Sequence, residues 1–315
     1  MKSLIEDAMQ LISAIRGRFK PQKRPKLGKR ARREELTALL FLLPSLGGFL
    51  LFYLLPFLQS FWISFFSSPI NGHFVWLKNY ATLLTNQVFG KAAWNTFIFT
   101  GIGVPLIIAL SLALAMALSK KLLGQKALGT LFLTPLVIPV ASVVLVWQVL
   151  FDNNGALNSV LASVGIARVD WLKSEWARYV IMVLFLWKNV GYDMVLFMAA
   201  LAAVPTEQLE SADLDGANGF QKFRHIIWPR LLPTTFFVLI MSIINSFKVF
   251  REVYLLAGAY PHDSIYTLQH FMNNMFSSLD YQKLTSAAFI MAAFITGLVS
   301  LLFWLRRRAG RDAFV

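Results

Sequence analysis

A chain of 315 residues that is 57% hydrophobic and 15% charged, with a mean hydropathy of +0.59, is too apolar for one water-soluble core. Its formal charge of +14 and pI near 10.1 invite a nucleic-acid reading, but the basic residues sit beside apolar runs, which argues for a membrane and against nucleic acid. The absence of cysteine excludes disulfides, thiolate-ligated metals and a cysteine nucleophile, and four scattered His residues speak against a His-rich metal site.

The chain opens on Leu4, Ile5, Ala8, Met9, Ile12, Ile15 and Phe19, spaced by threes and fours as on an amphipathic helix lying on a membrane surface. A dense basic run follows over residues 16–33. Taken alone it looks like a nucleic-acid arm. Beside an apolar span it reads as a topology anchor, and contact with anionic lipid adds about 1 kcal/mol per basic residue. Residues 1–33 are therefore read as a basic amphipathic cytoplasmic tail.

Six apolar runs come next, at about 36–58, 95–118, 128–150, 177–203, 234–257 and 285–305. At ~1.5 Å rise per residue each is long enough to cross ~30 Å of hydrocarbon. Lipid offers no partner to free backbone groups, so the runs are predicted helices. The fold class is all-α, a polytopic integral membrane protein with six transmembrane helices, a permease domain over 34–308 and a tail over 309–315. Most of the Lys and Arg residues lie before residue 34, in the 119–127 and 204–233 loops, or after Leu305. Basic segments stay in the cytoplasm, so both termini are expected there.

The outer loops, about 59–94, 151–176 and 258–284, are too short for cores of their own. Trp62, Trp76, Trp94, Trp171 and Trp176 cluster near them and are predicted to form an interfacial aromatic belt. Polar residues within the spans mark a possible path, because charges near the bilayer centre cost about 2.5–3.5 kcal/mol on insertion scales. Lys188, Asn189, Gly191 and Asp193 lie in span four; Ser242, Asn245, Ser246, Lys248, Arg251 and Glu252 lie in span five. For the charges of span five the expectation is that Lys248 and Glu252, one helical turn apart, neutralise each other, or that Lys248 and Arg251 snorkel to the interface. Lys188 and Asp193 point apart on a helix and need partners elsewhere.

The segment 205–233 is long for a connector and strongly patterned. Thr206 is expected to cap a short helix carrying Glu207, Glu210 and Asp213, and Gly216 to turn the chain with positive φ. A second short helix should then carry Phe220, Phe223, Ile226 and Ile227 on one side, the packing of Phe220, Phe223 and Ile226 stiffening the loop. Glu210, Ala212, Gly216, Ile226 and Pro229 fit the spacing E-A-A-x3-G-x9-I-x-L-P, with Ser211 and Trp228 as departures. This pattern resembles the cytoplasmic loop of binding-protein-dependent ABC importer permeases. Asn95-Thr96, Pro135, Pro139 and Gly155-Ala156-Leu157-Asn158 extend the resemblance to the carbohydrate-type group, which includes the larger maltose-importer permease, over about residues 36–308. Val204-Pro205 replaces Ile-Pro, and Gly258-Ala259-Tyr260-Pro261 replaces a common Gly-Gly-Pro.

The resemblance implies a non-enzymatic permease subunit of the bacterial inner or plasma membrane. Its expected partners are a second permease subunit, two ATP-binding subunits, an extracytoplasmic solute-binding protein and membrane lipid. No cofactor is expected in this chain; ATP and Mg would be bound by partner subunits. Consistent with this, no G-x-x-x-x-G-K-[ST] is present, Thr130 standing at the Lys position after Gly124 and Gly129. The resemblance also implies an ATPase-coupling loop over 206–229 with Glu210, Ala212, Asp213, Gly216, Ala217, Phe220, Phe223, Ile226 and Pro229. Matching to the maltose-type permease assigns Leu136, Val140, Val190, Gly191, Met194, Ser242, Ser246 and Val249 to a sugar pathway. The intramembrane polar residues Lys188, Asp193 and Asn245 join that pathway.

The implied cargo is a di- or oligosaccharide. An alternative within the class is glycerol phosphate or another phosphorylated polyol, with Lys188, Lys248 and Arg251 as anion partners. A secondary transporter is a further alternative, disfavoured because no repeat relates the two three-span halves.

Overall fold

The computed structural model describes residues 29–119 and 125–312. The amphipathic stretch Leu4–Phe19 and most of the basic run lie outside the described residues. The elements are helical: α1 (Lys29–Phe49), α2 (Leu55–Ile63), α3 (Lys78–Leu84), α4 (Gln87–Leu118), α5 (Gln125–Val137), α6 (Val140–Phe151), α7 (Ala156–Ser163), α8 (Ala177–Ala202), α9 (Thr206–Leu214), α10 (Gly219–Lys222), α11 (Trp228–Phe247), α12 (Phe250–Ala257), α13 (Leu268–Ser277) and α14 (Tyr281–Asp312). No strand occurs among the described residues, only an isolated bridge between Phe66 and Phe74.

Six helices are long and apolar enough to cross a membrane: Thr37–Ile63, Gln87–Leu118, Val140–Ser163, Ala177–Ala202, Gly219–Ala257 and Tyr281–Arg308. The stretch expected as one span over 128–150 is instead two helices, α5 and α6, and the third crossing counts from the break between them. Pro139 lacks an N–H and pushes Ile138 away from helical geometry; with its own ψ at 134° it parts the two helices. The fifth crossing is broken as well, at Lys248 and Val249 between α11 and α12.

The described residues up to Gln59 and those from Ser60 onward form separate compact units. In the first, α1 passes into a π-helical turn over Leu50–Leu54, where the Leu55 N–H bonds the Leu50 carbonyl. A second π turn, Phe223–Ile227 in the other unit, has the Trp228 N–H on the Phe223 carbonyl. Each widened turn lies just ahead of a proline, Pro56 or Pro229, whose ring and missing N–H disrupt the ordinary ladder.

In the second unit α8 is the hub. It packs along α4, α5 and α11, while α6 packs on α12, and α14 on α3 and α13. Phe99, Val143, Ile181, Leu184, Val190 and Val253 interlock at the centre of this body. Asn86 caps α4 by accepting the Phe89 N–H at 3.0 Å. The segment between α12 and α13 is tied to α4 through Asn95, whose amide donates to the Asp263 and Tyr266 carbonyls at 2.6 and 3.0 Å. Thr96 Oγ1 accepts the Leu268 N–H at 3.0 Å, and Lys91 pairs with Asp263 at 2.5 Å. That hydrogen bond and charge hold the exposed Asp263 carboxyl below its usual range. Burial lowers the His270 imidazole to about 4, so at neutral pH it packs uncharged against Phe250, ring centroids 4.7 Å apart.

Trp62, Trp76, Trp94 and Trp176 are exposed, as a belt requires. Trp171 departs from that expectation. Its indole N–H donates to Asn158 Oδ1 at 3.2 Å, and fully buried Asn158 also bonds the carbonyl and N–H of Val169. Trp171 and Asn158 thus order the connection between α6 and α8.

Gly191, expected in a pathway, is buried where α8 crosses α5. A Cβ there would overlap the backbone carbonyl of Phe132, so the glycine permits close helix approach and leaves no opening. Gly191→Ala is expected to destabilise the protein by about 1–3 kcal/mol through overpacking. Gly101→Ala, whose Cβ meets open space on α4, should be neutral. Thermal unfolding followed by size-exclusion chromatography compares the two; equal midpoints would contradict the close-approach reading.

Candidate functional site: a polar cavity at a helix break

Beside the break between α11 and α12 lies a cavity of about 180 Å³. It is lined by Leu136 of α5, by Leu184, Phe185, Lys188 and Asn189 of α8, and by Asn245, Lys248, Val249, Arg251 and Glu252 around the break. Lys188 donates to Glu252 Oε1, joining α8 to α12. The Glu252 side chain is 6% exposed, and its second oxygen, Oε2, has no partner. Asn189 is spent on its own helix, its amide donating to the Phe185 carbonyl at 2.8 Å. Asn245 faces the cavity from α11, where no protein group among the described residues bonds its amide. A hydroxylated ligand would meet the Asn245 amide against the apolar walls of Leu136, Leu184, Phe185 and Val249, while Glu252 Oε2 is shut off from solvent.

The Lys248–Glu252 pairing expected from a continuous helix does not form. The helix ends at Phe247 and restarts at Phe250, which takes Lys248 out of register with Glu252 and leaves the carboxylate to Lys188. Of the residues expected in the pathway, Leu136, Lys188, Asn245 and Val249 line the cavity. The others hold helices together. Asp193 accepts from Ser242 Oγ at 3.1 Å between α8 and α11. Ser246 shares a 2.9 Å hydrogen bond with Thr100 of α4 and donates to the Ile243 carbonyl. Met194 is fully buried with Phe197 and Val238, Val190 sits in the central core, and Val140 is half-buried at the start of α6 outside the cavity lining. Lys248, Arg251 and Glu252 were visible as charges inside a span, but assigning them to one uninterrupted helix hid their role.

A larger groove, about 630 Å³, runs between α4, α11 and α14. Its lining is almost wholly apolar, with Thr96 and Thr100 the polar exceptions, which suits hydrocarbon and not a sugar.

The patterned connector is a helical hairpin joining α8 to α11. Pro205, not Thr206, occupies the cap of α9. At its other end Gly216 has φ +75°, with the Ala217 N–H on the Ala212 carbonyl and the Gly216 N–H on Asp213, a Schellman closure. Asn218 and Gln221 form a capping box on α10. The second helix is not separate: α10, the π turn and α11 run on into the fifth crossing. Phe220 is 69% exposed and Phe223 and Ile226 are half-buried, so packing of these three is not what stiffens the hairpin. Polar braces do that. Lys222 pairs with Asp213 at 2.6 Å, and Arg230 donates to Gln208 at 2.9 Å. Glu210 and Leu214 stay exposed on α9, while Pro229 enters α11 in its first turn, where no N–H is needed.

These features define a helical membrane permease with a rigid connector between the two crossings that border a polar cavity. Residues 107–312 match the family described as binding-protein-dependent transport system inner membrane component, and the chain belongs to that family. It is a multi-pass subunit of ABC-type importers, a transport component and not an enzyme. The chain is 36% identical over 225 residues to the arabinooligosaccharides transport permease AraP of Bacillus subtilis, covering 69% of this chain and 71% of that one. It is 30% identical to the trehalose/maltose permease MalF of Thermococcus litoralis over 79% of this chain and 86% of that one. With the sn-glycerol-3-phosphate permease UgpA of Yersinia pestis identity is 26%, over 84% of this chain and 92% of that one. A subunit of a bacterial alginate ABC transporter shares the fold, with a TM-score of 0.78, 22% identity, and 89% and 98% of the two chains covered.

Lys188→Met is expected to cost about 3–5 kcal/mol by stranding the buried Glu252 charge. Lys188→Met with Glu252→Gln should recover most of that loss, because no unpaired charge remains. Thermal unfolding of the single and double variants measures the coupling; equal destabilisation would show that the two side chains are independent.

Proposed function

We propose that this chain is the permease subunit that carries a di- or oligosaccharide inward, paired with a second permease and driven by two ATP-binding subunits. An extracytoplasmic binding protein delivers the sugar, and ATP and Mg are bound on the partner subunits. Both termini lie in the cytoplasm, beside the basic segments that favour that side. The observation that carries this reading is the cavity, where the unpartnered Asn245 amide stands beside the Lys188–Glu252 pair between the two crossings that the hairpin joins. The oligosaccharide relatives AraP and MalF support the cargo class.

The mechanism follows from connectivity. α9 begins four residues after α8 ends, and α10 continues into α11, so displacement of the hairpin by an ATPase subunit is passed into both crossings. Movement of α11 and α12 against α8 opens or closes the cavity between them. The exposed acidic and apolar surface of Glu210, Leu214 and Phe220 is the docking face.

Reconstituted alone, the chain should neither hydrolyse ATP nor accumulate sugar; with its partners it should do both. Accumulation by the isolated chain would refute the importer reading. Gly216→Val places a β-branched residue at positive φ, a strain of about 1–3 kcal/mol, and should release the ATPase subunit on co-purification. Glu210→Ala should keep the subunit but lower uptake per ATP hydrolysed. If both variants assemble and transport like the parent, the hairpin is only a connector.

A further inference from the structure

The cavity carries more positive charge than a neutral sugar needs. Lys248 and Arg251 both line it, one helical turn apart at the α11–α12 break. The single acidic side chain in the lining, Glu252, gives one oxygen to Lys188 from α8, so Lys188, Lys248 and Arg251 against Glu252 leave the lining with a net excess of two positive charges. Among the described residues no carboxylate lies within ion-pair distance of Lys248 or Arg251. Two cations without a carboxylate partner therefore border one small space, both of them also exposed at the surface of this chain, inside a crossing that runs from Gly219 to Ala257.

Such charges are costly within a membrane, and they persist where they face water, a partner or a ligand. Long basic side chains escape that cost by reaching for the interface, yet these two border the same cavity as Asn245. Their chemistry is complementary. Arg251 offers a planar fork suited to a carboxylate or phosphate, Lys248 a mobile point charge, and Asn245 a neutral donor and acceptor for an adjacent hydroxyl. The unpaired positive potential also favours entry of anions over neutral solutes.

We propose that the cavity recognises an anionic group, a carboxylate or phosphate, on the transported saccharide, and that Lys248 and Arg251 are the residues that select it. This rests on the reading of the chain as a saccharide permease and narrows its substrate class. Lys188 is not the selector, because its charge is held by Glu252.

The test uses the complete importer with its binding protein in proteoliposomes. ATP-dependent uptake is compared for a triuronate, the methyl ester of that triuronate, and a phosphorylated trisaccharide. At least one acidic probe should enter ten or more times faster than the ester, and which one does so separates carboxylate from phosphate. Lys248→Met with Arg251→Met should lose that acidic uptake at least tenfold while retaining both permeases and the ATPase subunits. Lys248→Arg, which keeps the charge, should preserve it. Uptake of the neutral ester as fast as the acids would overturn the inference and leave the saccharide reading standing. So would an assembled double variant with unchanged acidic uptake. If the double variant sheds the second permease, the two cations belong to the subunit interface and the inference also fails. Absence of ATP-dependent uptake for both acids would overturn the inference, and uptake of a neutral arabinooligosaccharide or maltooligosaccharide in the same vesicles tests the saccharide reading separately.

Discussion

The Glu252 carboxylate is buried, and its one partner, Lys188, comes from a different crossing. A buried charge without a partner is strongly destabilising, so this pair constrains how α8 and α12 lie against one another. The constraint reaches further because α12 is separated from α11 by the break at Lys248 and Val249. With α12 held to α8, and α11 packed on both α8 and α4, the break stays open as a cavity and does not collapse into a continuous helix contact. Discontinuous helices around polar sites are a recurring solution for carrying hydrophilic solutes through hydrocarbon.

Much of the remaining polar inventory maintains this arrangement. Asp193 with Ser242, and Ser246 with Thr100, hold α11 between α8 and α4. Asn95 and Thr96 bind the backbone of the segment after α12 and so anchor its far end to α4. Gly191 brings α5 into backbone contact with α8. The hairpin at the other end of α8 and α11 is joined across its two arms by an ion pair and a hydrogen bond and closed by a left-handed glycine.

The number of crossings and the hairpin were legible, though not the bounds of the third crossing, because their signals are local: long apolar runs, a glycine at a helix end, acidic residues in a short amphipathic stretch. Pro139 and Pro229 also spoke clearly as residues, though not what each does. Pro139 parts two helices, whereas Pro229 follows a π turn and lets the helix run on. The site was only partly legible. Lys188 and Asn245 were found as polar residues in spans, but the partner of Glu252 depends on the break at Lys248, which no proline or glycine announces. Gly191 carried opposite meanings, room for a ligand or contact with a neighbour, and only the position of Phe132 decides between them. Asn95, Thr96 and Asn158 stood out as motif residues whose work, tying outer loops through backbone hydrogen bonds, becomes visible in three dimensions.

The central claim is that the cavity beside the α11–α12 break is the solute's path. The chain has no cysteine, so Asn245→Cys introduces a unique thiol into it. In the complete importer, with any cysteines of the partner subunits replaced, a membrane-impermeant thiol reagent should modify that residue in at least one nucleotide state. Modification should block uptake, and solute delivered by the binding protein should slow the reaction. A thiol inert in every nucleotide state, or one whose modification leaves uptake intact, would contradict the claim.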